Sequence, residues 1–244
     1  MFMYREVAPA PALARYVKCF WLLRAEWDAP RTERIIPDGS FEMVFHFGDP
    51  FAGQPRAMLV GEIRRPVLLR PSRHADVLGV RFHPGGAAPF LGAPANALSD
   101  AILPLREIFP ADLEEQVQET ADRIALIEST LIRRFVEPRG AGLARAASAR
   151  IARHHGALRI REVASSIGTT ERSLERAFDA SVGMSAKAYS RLMRFHAALR
   201  GEADGYFDDS HRIRDFRQFS GATPTELQHE RNAMNDAFVG NVQD

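Results

Sequence analysis

The sequence predicts an α+β fold in two parts: a β-barrel-like front domain that ends in helices, and an all-α unit of helix-turn-helix type behind it. Three observations predict this. Short strand-like segments with glycine and proline punctuation run up to Phe82, helical periodicity takes over from about Ala111, and a short pattern occurs twice near the C-terminus. A chain of 244 residues has room for one large or two medium domains, and 45% hydrophobic content is enough for genuine cores.

The front segments are Val17 to Arg24, Ser40 to Phe47, Ala57 to Ile63, Pro66 to Arg70 and Asp76 to Phe82, all short and rich in Val, Ile, Leu and Phe. Pro37-Asp38-Gly39, Gly48-Asp49-Pro50 and His83-Pro84-Gly85-Gly86 supply turn chemistry between them, so a small β-barrel or sandwich is expected. From Ala111 to Phe135 the apolar residues Leu113, Val117, Ile124, Ile127, Leu131 and Ile132 recur at helical spacing. Glu137-Pro138-Arg139-Gly140-Ala141-Gly142 reads as a linker. The expected division is therefore a front domain over 1–137, a linker over 138–145 and a helical unit over 146–244, with the front domain folding alone and forming a homodimer through the 111–135 helices.

The repeated pattern is Arg-x-Phe, four residues, glycine, one residue, then a hydroxyl. It is Arg176, Phe178, Gly183 and Ser185 in the first copy, and Arg214, Phe216, Gly221 and Thr223 in the second. Ahead of the first copy, Ile160, Val163, Ala164 and Ile167 form one apolar stripe on a short helix, Gly168 suits a tight turn, and Thr169 or Thr170 can cap a second helix. The second helix buries Leu174, Ala177 and Phe178 and turns Glu171, Arg172, Ser173, Glu175 and Arg176 outward. An inner face fixed in a core and a polar outer face near the N-terminus are what entry into a major groove requires. The plainer reading is a helical hairpin with a solvated charged face. Charge weighs against that. Residues 145–200 hold ten Arg and Lys187 against Glu162, Glu171, Glu175 and Asp179, a local excess of +7 in a chain whose 32 Lys+Arg nearly balance 31 Asp+Glu.

Residues from about 146 to 230 resemble the DNA-binding domain of AraC/XylS-type transcription regulators. The first half of that family's pattern is matched by Gly168 through Leu174, Phe178, Gly183, Tyr189, Arg194 and Ala198. The second half is matched by Gly205-Tyr206, Asp209-Ser210-His211, Arg214, Phe216, Gly221 and Thr223-Pro224. The front half is similar to a subset of these regulators with a Pro-Asp-Gly turn and a Gly79–Gly86 stretch reading GVRFHPGG. The resemblance implies a cupin-like sensory front domain, a helix-turn-helix reader and sequence-specific transcription regulation. Its implied partners are double-stranded DNA, a small-molecule effector, RNA polymerase and a second copy of the chain. By position in the pattern, Arg172, Ser173, Glu175 and Arg176 would face DNA in the first unit, and Asp209, Ser210, His211 and Arg214 in the second. Two departures stand out. Only Gly201-Glu202-Ala203-Asp204 separates Arg200 from Gly205, where a scaffold helix of about two turns needs roughly seven or eight residues. Arg212 takes a place the pattern fills with an apolar residue. The alternative is thus a ligand-sensing or protein-interaction module whose DNA reader has decayed.

Other classes fit less well. Cys19 is the only cysteine, which excludes an intrachain disulfide and a four-cysteine zinc site and fits a reducing cytoplasm. No apolar run approaches a membrane span. Glu42, His46 and His83 are the only candidates for a cupin-type metal site, and no His-x-His accompanies them. With no nucleophile motif, phosphate loop or dinucleotide fingerprint, neither catalysis nor a cofactor is expected.

Overall fold

The computed structural model describes residues 2–28, 32–202, 206 and 208–227. The chain is α+β, with antiparallel sheet in the front part and helices behind. Strands β1 (Phe2–Val7), β2 (Val17–Glu26), β4 (Glu42–His46), β5 (Ala57–Val60), β7 (His74–Phe82) and β8 (Ile102–Pro104) form one six-stranded sheet in the order β1-β2-β7-β4-β5-β8. Strands β3 (Glu33–Ile35) and β6 (Val67–Leu69) pair separately as a two-stranded ribbon.

This corrects the expectation of a barrel. The sheet ends at β1 and β8, which do not pair with each other, so it is open. One face is covered by helices instead of by more sheet. Phe20, Leu78, Val80, Phe82, Met43, Phe45 and Leu59 alternate onto that face and pack with α1 (Ala88–Leu91), α2 (Leu113–Glu119) and α3 (Arg123–Arg134) through Phe90, Leu113, Val117, Ile127 and Leu131. The opposite face carries a smaller cluster of Leu23, Ala25, Val44, Met58, Ala75 and Val77. Gly79 is required there, because a Cβ would lie 1.9 Å from the Trp21 ring.

The rear part has its own core, built from α4 (Ala141–Arg153), α5 (Ile160–Ser166), α6 (Glu171–Val182), α7 (Ala186–Arg200) and α8 (Asp209–Ser220). The stretch 138–145, expected as a linker, is helical from Ala141 onward. Ala141 and Ala144 are buried, so the small residues that suggested flexibility serve close helix packing. The turn at His83–Gly86 also meets this region: Ser148 Oγ donates to Pro84 O at 3.2 Å, and a Cβ on Gly85 would touch Arg145 and Val182. Among the described residues no helix is long and apolar enough to cross a membrane.

Candidate nucleic-acid interface

Both copies of the repeated pattern adopt the same local structure, and its chemistry explains each position. In the first, α6 buries Phe178, closes on Gly183 in the left-handed region at φ 92°, and hands over to α7, whose N-cap Ser185 accepts the Ala188 amide at 3.1 Å. In the second, α8 buries Phe216 and closes on Gly221 at φ 72°. Thr223 and Glu226 then bond each other's amides as a capping box, at 3.3 and 2.7 Å, and the chain turns helical again from 224. The motif is a helix end, a left-handed glycine and the cap of the next helix.

The first unit matches its expected geometry. Val163 and Ala164 of α5 are buried, Gly168 turns the chain at φ 69°, and Thr170 caps α6 by accepting the Ser173 amide at 3.2 Å. Leu174 and Phe178 are fully buried, while Arg172 and Arg176, one turn apart on the other side, are exposed. Ser173 and Arg176 line an open cleft with Ala177 and Ala180, opposite Arg139, Gly140 and Leu143 at the start of α4. Arg139 thus joins the basic surface; inside a presumed linker nothing in the sequence marked it. Glu175 departs from expectation. Its Oε2 accepts the Ala186 amide at 3.1 Å, so it caps α7 rather than reaching outward.

In the second unit Asp209, Ser210, His211 and Arg214 are all exposed on α8. His211 is tethered to the N-cap Asp208, with its backbone N 2.8 Å from Oδ1 and its ring Nδ1 2.9 Å from Oδ2. The short connection after Arg200 falls partly outside the described residues, since 203–205 are not among them. Among those that are, no helix stands between α7 and α8. Instead α7 runs unbroken to Arg200 and supports α8 directly: the Phe195 ring lies 4.9 Å from Phe216 and 5.5 Å from Phe219. Arg212 is half-buried with its guanidinium carbon 5.8 Å from the Phe216 ring centre.

Part of the basic excess is consumed internally. Arg145 pairs with Glu137 at 2.9 Å, Arg194 donates to Gly156 O at 3.2 Å, and Arg191 binds Asp215. Arg153, Arg159, Arg161, Arg172, Arg176 and Lys187 remain exposed.

The metal candidates do not converge. Glu42 pairs with Arg81 at 2.6 Å, and His46 is buried with its ring 4.8 Å from that of Phe51. Burial lowers the tendency of His46 and His83 to take a proton and raises that of Glu42. Among the described residues no group of three or more His, Cys, Asp and Glu side chains is placed to hold a metal ion.

Residues 5–104, which hold almost all of the main sheet, match a family model described as a domain of unknown function (DUF6597). No curated protein and no solved structure matches the chain.

Proposed function

We propose that the protein is a sequence-specific DNA-binding transcription regulator of AraC type, cytoplasmic and dimeric, with the open-sheet domain in the position of a sensor for a small effector or partner. The observation that carries this reading is the pair Arg172 and Arg176, exposed on one side of α6 while Leu174 and Phe178 anchor the other. Two arginines so mounted suit guanine edges in a major groove. The repetition of the unit at α8, with Arg214 exposed, favours the same use.

The test is to select duplexes from a random-sequence pool with the full chain and to compare variants on selected and scrambled DNA at fixed salt. Arg172→Ala and Arg176→Ala are each expected to cost about 1–3 kcal/mol on the selected duplex alone. Arg161→Ala, on α5, is expected to weaken both duplexes alike, as loss of a phosphate contact does. Variants at 172 and 176 that fold normally and keep the wild-type ratio of specific to non-specific affinity would overturn the assignment. The second reading, an interaction module with a decayed reader, draws on the absence of a helix between α7 and α8 among the described residues, and it requires that the pool yield no preferred sequence.

A further inference from the structure

The two C-cap glycines of the repeated pattern are also places where the sheet domain meets the helical core. Arg34, on β3, donates from Nη1 to Ser220 O at 2.6 Å, and a Cβ on Gly221 would lie 3.1 Å from that same nitrogen and 3.3 Å from Pro66. Arg64, on the connection from β5 to β6, donates from Nη2 to Gly183 O at 2.6 Å. Ser99 Oγ donates to the same carbonyl at 2.9 Å, and a Cβ on Gly183 would sit 2.4 Å from it. Each guanidinium therefore meets the negative end of a helix dipole and satisfies a carbonyl that the helix leaves free.

Both contacts come from one small region, the first arginine on a two-stranded ribbon and the second on the loop that leads into it. Strands β3 and β6 pair with each other with Arg34 opposite Leu68, and Arg64 lies just ahead of β6. The segment that follows β3 touches α7. Ile36 packs against the helical core, His196 Nε2 is 2.7 Å from Pro37 O, and a Cβ on Gly39 would lie 2.9 Å from the Tyr189 ring. Arg64 is itself held, with its backbone N donating to Asp100 Oδ1 at 2.8 Å and its Nε 3.5 Å from Glu62.

We propose that Arg34 and Arg64 are positioning residues: from the β3–β6 ribbon and the loop that leads into it they hold the C-terminal ends of α8 and α6, and so set the spacing at which the two exposed helix faces are presented. The ribbon is thereby the route by which a change in the sheet domain reaches both units. The consequence for DNA rests on the function proposed above; the clamp itself does not.

Two measurements on the full chain test this. In hydrogen exchange, Arg34→Ala should speed exchange across 216–222 by roughly 10-fold and leave 178–184 unchanged, and Arg64→Ala with Ser99→Ala should do the reverse. Lysine in place of either arginine should restore most of the protection, because it keeps the charge at the helix end. Wild-type exchange at both ends, or equal acceleration throughout the helical core, would overturn the clamp. In the second measurement the probe is the wild-type-selected duplex with two base pairs inserted between its half-sites. A rigid pair of units should lose at least about 10-fold in affinity on this insertion, and the triple variant Arg34→Ala, Arg64→Ala, Ser99→Ala should lose less than about 3-fold. An unchanged spacing penalty in the triple variant would overturn the positioning role. If no duplex is selected, the DNA reading fails and the exchange result still decides the clamp.

Discussion

Replacing Arg191 with alanine is expected to destabilise the full chain by about 3 kcal/mol and to loosen α8 from α7. The guanidinium of Arg191, on α7, turns inward. Nε and Nη2 both donate to Asp215 Oδ1, at 3.0 and 2.5 Å, and Nη2 also donates to Gln218 Oε1 at 2.7 Å. Asp215 is only 4% exposed. Removing its cation leaves a buried carboxylate without a counter-charge, which costs far more than the pair contributes over an apolar equivalent. The side chain of Arg191 is 29% exposed, which keeps the expected loss at the lower end of the range for buried pairs. Urea unfolding of wild type and variant measures it, and Arg191→Met combined with Asp215→Leu should recover most of the loss. A variant as stable as wild type would show that Arg191 does not offset the buried charge of Asp215.

What the sequence made legible is what depends on near neighbours. Gly168, Gly183 and Gly221 each take a positive φ at a helix boundary, and Thr170 and Ser185 cap the helices that follow; all of these are readable from a few adjacent residues. Contacts between remote residues were not legible. Arg34 meets Ser220 across 186 positions and Arg64 meets Gly183 across 119, and nothing beside Arg34 distinguishes it from a surface arginine on a short strand. Glu175, expected to face DNA, caps α7 for a related reason. Helical periodicity says which side of a helix a residue leaves from, while a long side chain can bend back to a neighbouring amide or carboxylate. The alternation along β7 likewise announces a sheet with two faces but does not say whether its last strands meet, and here helices cover the face that a barrel would enclose. Strands β1, β3 and β8 were missed outright. The last two have three residues each, too few for alternation to show, and β1 is an edge strand with Phe2 and Met3 exposed.

Glu62→Gln is expected to stabilise the chain by about 3 kcal/mol at pH 8 and to change little at pH 4. Glu62 is buried just after β5. Burial pushes its carboxyl up from the ordinary 4.5 to about 7, with Asp100 adding to the rise and the Arg64 guanidinium, 3.5 Å away, opposing it. The sign follows from proton binding. Between pH 4.5 and about 7 the unfolded chain has released a proton that the fold still holds, so the contribution of this group to stability falls as pH rises through that window and is flat above it. Glutamine keeps the shape without the charge and removes that slope. Above pH 7 the wild-type carboxylate is ionised in a site that water does not reach, and the variant escapes that cost. Urea midpoints of the two proteins at pH 4, 6 and 8 should therefore separate progressively, with the variant higher. Curves that stay parallel across this range would mean that Arg64 already compensates the charge in full. If so, Arg64 is held against Gly183 O by a permanent ion pair and not by a group that can lose its charge.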